Sequence, residues 1–336
     1  MSLYLPTGYV NIKYVLGYNC PFTFLLGGRG TGKTFGALEY AIDSGRKIMF
    51  MRRTRTQIEL ITRPELDPFN PVCAYKGIGH KLEPVAKDVN SIILVKEEQE
   101  TPLGLCAALS TFSNLRGFDA SWINLLLMDE LIPEPQERPI KNEGSAFLNC
   151  YETINRNREL QGRPALQALC MTNSNSINSP LLIELDLVRV IEKMRRKGQR
   201  EYVNKDRGIA IFDLKDSPIS AAKNETALYK ATRGTKFAAM AIGNEFSYSD
   251  MSDCRSQPLN GLRLLWRYAN IYCYQAQGYL YISEHGAGTA PVEYEDTEID
   301  TARFVREHRK LYQQIIKRKI RYENYMCKQR LTELFI

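Results

Sequence analysis

Residues 21–45 read PFTFLLGGRGTGKTFGALEYAIDSG. A short apolar run, PFTFLL (21–26), ends in glycines. Residues 33–44 then carry apolar side chains at helical spacing and stop at Gly45. Between the two lies Gly27-Gly28-Arg29-Gly30-Thr31-Gly32-Lys33-Thr34, a complete GxxxxGK[ST] pattern in the strand-to-helix setting such a loop requires. Glycines let the backbone wrap a phosphate chain without Cβ clashes, and successive N–H groups with a helix N-terminus favour the anion. In this reading Gly27 to Thr34 bind a nucleoside triphosphate, ATP, with Lys33 at the β- and γ-phosphates and the Thr34 hydroxyl on Mg²⁺.

Outward from that loop, KIMFMR (47–52), SIILV (91–95), LCAALS (105–110), INLLLM (123–128) and ALQALCM (165–171) are strand candidates, with helical spacing over 141–158. Uninterrupted apolar strands alternating with helices predict a mostly parallel α/β sheet buried on both faces. INLLLM delivers two acids at its end. Asp129 is expected to hold Mg²⁺ and Glu130 to polarise an attacking water as general base. An acid next to the metal-binding Asp favours hydrolysis over transfer to a small molecule.

The chain has 336 residues, 44% hydrophobic and 25% charged, which excludes disorder and rod-like folds and predicts two domains. It lacks an apolar run of ~18 residues and a secretory leader, so no membrane partner is expected. Eight cysteines without a CxxC pair read as buried, reduced thiols of a cytosolic protein, and three histidines make a His-based metal site a poor prospect. Net charge is +7, and Lys/Arg outnumber acids ten to three over 301–336 and eight to four over 186–207. Such local excess fits a surface facing a polyanion, or simply solvated helix faces.

Of four further features, three have two readings each. Arg116 in SNLRGFDASW (113–122) is either presented to the nucleotide on a tight turn or is an exposed loop arginine. Arg156 and Arg158 in ETINRNREL (152–160) either answer a helix C-terminal dipole or supply an arginine finger to a neighbouring subunit. Asn173 in MTNSNS either senses the γ-phosphate or is turn chemistry. In MRRTR (51–55), Arg52, Arg53 and Arg55 cluster after the second strand.

In this order, GGRGTGKT, IMFMRRTRTQIEL, SNLRGF, LLLMDELIPE, TINRNREL and CMTNSNSINSP resemble the genome-packaging ATPases of phi29-like tailed phages over roughly residues 20–182, with FAAMAIGNEF (237–246) a weaker match. The resemblance implies a ring-forming ATPase of the additional-strand P-loop (ASCE) type that drives double-stranded DNA through the portal, or connector, of an empty procapsid. It also implies a homo-oligomeric ring, a pentamer, a possible role for a structural RNA, and a place in the host cytoplasm docked at the portal vertex. Its phosphate-loop lysine falls on Lys33, its acid pair on Asp129 and Glu130, and its trans-acting arginine finger on Arg156. Arg55 would be a second trans-acting basic residue. Arg116 matches a basic residue before the acidic strand; at both positions relatives can carry lysine.

The expected domains are an ATPase domain (1–185), a basic helical linker (186–225) and a C-terminal domain (226–336). In the last, RLLWRYANIYCYQAQGYLYIS (263–283) predicts a hairpin and 302–328 a long closing helix. The resemblance implies an RNase H-like nuclease fold that has lost its metal-binding acids. The only candidates for a surviving site are Asp213, Glu284, His285 and EYEDTEID (293–300), and nuclease activity is not expected because two-metal cleavage needs carboxylates converging from separate strands. DNA would be gripped by its phosphates without sequence preference. The rival readings are another nucleic-acid translocase, helicase or phage-assembly ATPase, a nucleotide-gated assembly protein that does not hydrolyse, and a small-molecule kinase.

Overall fold

The computed structural model describes residues 2–115, 119–132, 140, 142–172, 179–214, 217–219, 225–232, 253–286 and 288–335. They divide into two compact units, Met1–Phe246 and Ser247–Ile336.

The first unit is built on a sheet. Helix α1 (Ile12–Leu16) leads into β1 (Phe22–Leu26), α2 (Lys33–Ser44), β2 (Ile48–Arg52), α3 (Arg55–Ile61) and α4 (Phe69–Lys76). An antiparallel run follows, β3 (Gly79–Ala86), β4 (Val89–Lys96) and β5 (Gln99–Ala108). Then come β6 (Leu125–Met128), α5 (Glu143–Asn155), β7 (Gln167–Thr172), α6 (Pro180–Glu184), α7 (Val188–Arg196), β8 (Glu201–Asn204) and β9 (Ile209–Asp213). The described strands of this unit form one sheet in the order β3-β4-β5-β2-β6-β7-β1-β9-β8.

From β5 to β9 every neighbouring pair is parallel. The strands β6, β7 and β9 are buried along their whole length, and their sequences are apolar apart from residues at the strand ends. Between β1, which carries the glycine loop, and β6, which carries the acid pair, lies β7. That interposed strand defines the additional-strand arrangement. α2 ends as its sequence predicts, with Gly45 at φ +65° and its N–H returned to the carbonyls of Ala41 and Ile42.

Residues 186–213 are not a linker. α7 buries Val188, Ile191 and Met194, β9 pairs in parallel with β1, and β8 closes the edge antiparallel to β9. Most of the basic residues that suggested a connector lie on the exposed face of a helix whose inner face is largely apolar, and Arg195 turns inward to Asp213. The first unit accordingly extends beyond residue 185, to Phe246.

The second unit holds a five-stranded sheet in the order β13-β10-β11-β12-β14, made of β10 (Arg263–Tyr268), β11 (Ile271–Ala276), β12 (Tyr279–Ser283), β13 (Glu293–Tyr294) and β14 (Ile320–Tyr322). β10 to β12 form an antiparallel meander, turned after β11 at Gly278 with φ +86°. The predicted hairpin is present, and β13 lies parallel to β10 at the edge, while β14 runs parallel to β12 at the other. The predicted long closing helix is instead α8 (Glu298–Glu307), α9 (Arg309–Ile316), then β14 and α10 (Tyr325–Glu333). Arg318 at φ +52° ends α9, and the alternation of buried Ile320 and Tyr322 around exposed Arg321 suits a strand. Phe304 at the centre of this core packs against Trp266, Tyr268 and Tyr294.

All eight cysteines are free, and every one but Cys254 is buried. Burial raises the Cys106 thiol to about 12 and raises the Cys150 and Cys170 thiols as well. They behave as apolar core groups.

Candidate nucleotide site

Parallel strands bring their C-terminal ends to one edge of the sheet, so the loops after β1, β2 and β6 converge. After β1 the backbone turns through Gly30 at φ +72° and Gly32 at φ +83°, left-handed geometry that favours glycine. A Cβ on Gly32 would lie 2.9 Å from the Tyr9 ring, and one on Gly27 would meet Leu214 Cβ at 2.7 Å. The loop is held from outside by Val10 N–H donating to Thr31 O. Lys33 is 4% exposed, and its ammonium donates to Gly27 O at 3.1 Å, Gly28 O at 2.7 Å and Thr31 Oγ1 at 3.1 Å. A buried cation ringed by loop oxygens, at the start of a twelve-residue helix, is a cradle suited to a phosphate chain.

Across the gap, the Thr34 hydroxyl donates to Asp129 Oδ1 at 3.0 Å. Asp129 is nearly fully buried, and its backbone N–H donates to Met51 O on the β2 side. The Leu131 N–H donates to Met171 O on the β7 side. Between these two anchors the backbone at Glu130 is turned to φ +62°, a conformation a non-glycine residue adopts at some cost. The Glu130 carboxylate accepts from Gln57 Nε2 at 3.3 Å. Thr34 and Asp129 offer the hard oxygen donors that suit Mg²⁺.

Arg52, the last residue of β2, faces both acids. Its Nη2 is 3.0 Å from Asp129 Oδ2 and its Nη1 is 3.7 Å from Glu130 Oε2. Neither this role nor that of Gln57 is visible in the sequence. The MRRTR run shows a cationic cluster, but only the β2–β6 register, with Met51 beside Met128, shows that Arg52 and not its neighbours meets the acids. Gln57 is the third residue of the Thr54 capping box, a helix-start signal legible in TRTQ.

The other arginines separate. Arg53 is wholly buried and forks onto Glu143 at the start of α5, Nε to Oε1 at 2.6 Å and Nη2 to Oε2 at 2.8 Å. Arg55 is half exposed and pairs with Glu59 at 2.7 Å and Asp88 at 3.0 Å. Arg158 is buried and donates to the carbonyls of Ser121 and Ile123. Arg156 is exposed, caps α5 at φ +45° and reaches Asp119 at 3.3 Å. The preceding residue, Asn155, accepts at Oδ1 from the Leu166 N–H just before β7 begins. That is the N-terminal end of the parallel strands, the edge opposite the glycine loop of the same chain. Arg116 and Asn173 lie outside the described residues.

The remaining nuclease candidates are engaged one by one. Asp213 belongs to β9 of the first unit and pairs with Arg195 at 2.8 Å. Glu284 accepts from Asn324, and His285 Nδ1 lies 2.9 Å from Glu323. In 293–300, Glu293 pairs with Arg267 at 3.2 Å and Asp300 with Arg303 at 3.3 Å. Among the described residues no His, Cys, Asp or Glu cluster is suited to a metal ion.

A central strand feeding a glycine loop, an acid-ended strand one place removed, and Thr34 against Asp129 define a P-loop ATPase fold of the additional-strand type. The family model for the podovirus DNA encapsidation protein (Gp16) matches residues 6–335, and the chain belongs to that family. It is 26% identical over 243 residues to the DNA packaging proteins of Bacillus phages phi29 and PZA, covering 71% of this chain and 66% of each relative, just under two thirds of their length. In fold it is similar to a chain of the bacteriophage phi29 viral genome packaging motor assembly, with a TM-score of 0.64, 21% identity and 99% of both chains covered. A chain of the Phi-28 gp11 DNA packaging motor gives 0.62 at 15% identity over 94% of both chains.

Proposed function

We propose that this chain hydrolyses ATP to drive double-stranded DNA into a phage procapsid, as one subunit of a homo-oligomeric ring, a pentamer by family likeness. The observation that carries the reading is the Thr34–Asp129 contact across the glycine loop, with Glu130 the next residue. In the proposal the loop from Gly27 to Thr34 binds the triphosphate, with Arg29 and Thr31 part of its wall. Thr34 and Asp129 hold Mg²⁺, which neutralises developing phosphate charge when bound. Lys33 turns its ammonium from the loop carbonyls to the phosphates. Glu130 orients the attacking water and receives its proton.

Arg156 sits at the sheet edge remote from its own glycine loop, so any γ-phosphate it meets belongs to a neighbouring subunit. Arg55 is proposed as a second basic group at that interface, and Arg116 and Asn173 as polar groups about the γ-phosphate. The DNA is held by its phosphates, the portal is the docking partner, a structural RNA is a possible further partner, and the setting is the host cytoplasm at the portal vertex. No helix among the described residues is long and apolar enough to cross a membrane.

Glu130→Gln tests the reading. It is expected to keep ATP binding and to lose turnover by ~10²-fold or more, measured as phosphate release with and without DNA. Unchanged turnover would remove Glu130 from the base role, and absence of turnover in the wild-type ring would favour a nucleotide-gated assembly protein instead.

A further inference from the structure

The strand N-termini, at the edge opposite the glycine loop, enclose a cavity of about 670 Å³. Its wall includes Arg46, Arg158, Arg163, Asn19, Asn124 and Gln167. Each has a reason to be there. Arg46 precedes β2, and it donates from Nε to Asn124 Oδ1 at 3.1 Å, and from its other nitrogens to Gln167 Oε1 and Asn124 O. These bonds tie the entries of β2, β6 and β7 together. Arg158 donates to Ser121 O at 2.8 Å and to Ile123 O. Arg163, at the mouth, is exposed and donates to Ser121 O at 3.0 Å.

Structural duty does not account for the charge. Three guanidinium groups line one cavity, and no carboxylate is among its lining residues. Arg158 is 2% exposed, yet its Nε is buried without a hydrogen-bond partner among the described residues. Burying an unsatisfied charged donor costs more than a hydrogen bond returns. Burial disfavours the charged forms of Arg46 and Arg158, and Arg163 adds repulsion on Arg158. Glu159 attracts Arg158 in part, but its carboxylate is exposed and accepts from Asn155. An anion entering the cavity would relieve the repulsion that Arg163 and Arg46 exert on Arg158.

We propose that this cavity is a second anion site, separate from the glycine loop, which takes a phosphodiester of a nucleic-acid backbone. Planar guanidinium forks match phosphate oxygens. The volume is of the size that holds a nucleotide unit rather than a lone phosphate. Two more cations belong to the same strand entries, Lys47, which follows Arg46 and reaches the Pro102 carbonyl, and Lys205, whose Nζ reaches the Tyr18 carbonyl beside Asn19. A chain of phosphates meets several such cations better than a single ion does. The amide groups of Asn19, Asn124 and Gln167 add contacts that do not depend on base identity. The choice of a nucleic acid rests on the packaging reading above; the anion site rests on the arginines alone.

The test uses the full chain with a short duplex DNA and an RNA duplex of equal length, titrated across salt concentrations. Arg163 is exposed, so Arg163→Ala is expected to fold and to keep ATP hydrolysis without DNA. Affinity should fall by about 3- to 10-fold, and the slope of log K against log salt should flatten by about 1, the signature of one lost phosphate contact. Arg163→Lys should recover much of the slope. Loss with DNA, RNA or both supports the site and says which duplex occupies it. As a readout without substitution, duplex should protect Arg163 from phenylglyoxal labelling, in Lys33→Ala as in the wild type.

Duplex binding with unaltered slope in Arg163→Ala and no protection would overturn this inference and leave the packaging reading standing. So would Arg163→Ala losing ring assembly while binding duplex normally, since the cavity would then take a neighbour's carboxylate. No duplex binding by the wild type would overturn both.

Discussion

His80 on β3 places Nε2 2.6 Å from Asp67 Oδ2, with both side chains more than nine-tenths buried. The hydrogen bond that the imidazole donates to Asp67 raises it to about 9, burial opposing it. An unfolded histidine titrates near 6.5. The folded value lies above the unfolded one, so the pair's stabilisation is fully present below about pH 6.5 and is lost as pH rises through 9. The full shift corresponds to at most about 3 kcal/mol. Urea unfolding of the wild type at pH 6 and pH 9.5 is expected to show that decline, and His80→Gln is expected to flatten it. An equal decline in both would assign the pH dependence elsewhere. Single residues were unevenly legible. Gly27 to Thr34 and Asp129–Glu130 stand out because their chemistry is local in sequence. Arg52, Arg53 and Arg158 did not separate from Arg55 and Arg156, because their partners arrive from strands and helices distant in the chain.

Between elements, β5 leaves no room beside β2 at Gly104. Gly104 faces Ile48, and a Cβ there would lie 1.9 Å from Ile48 O. No side-chain adjustment relieves a clash with backbone, so Gly104→Ala must push β5 off β2. An expected loss of about 2–3 kcal/mol, at the upper end for a single substitution, is measurable as a fall in denaturant midpoint. Gly77→Ala is the contrast. Nothing lies within 4 Å of its Cβ, and its φ of +66° alone should cost ~1 kcal/mol. Equal losses in the two would mean that conformation and not contact sets the cost at Gly104. Pattern found β1, β2, β6 and β7 because central parallel strands are apolar throughout. It missed β8 and left the strand that ends at Asp213 outside the ATPase domain, because α7, with its many exposed basic residues, made the segment read as charged. It merged α8, α9 and β14 because helical spacing of apolar residues runs on across Arg318, whose left-handed turn no residue type announces.

For the whole assembly, the decisive geometry is that Arg156 and the glycine loop occupy opposite edges of one parallel sheet. A subunit of this design is incomplete for catalysis if Arg156 is the finger, because the arginine it displays serves the next subunit around a ring. Arg158 does not compete for the role, since Ser121 and Ile123 hold it inside. Arg156 is exposed, and its exposed partner Asp119 is a weak tether of the surface kind, ~1 kcal/mol or less. Lys33→Ala and Arg156→Ala proteins should each be inactive, the second by ~10³-fold or more. Mixed in one ring they complement. A site from an Arg156→Ala subunit beside a finger from a Lys33→Ala subunit is intact, and random mixing makes about a quarter of interfaces so. Phosphate release from the mixture should therefore rise well above that of either protein alone and peak near equal proportions. If mixed rings form, as native mass spectrometry can establish, and release stays at the level of the separate variants at every ratio, the active site is not shared and coordinated firing cannot depend on Arg156.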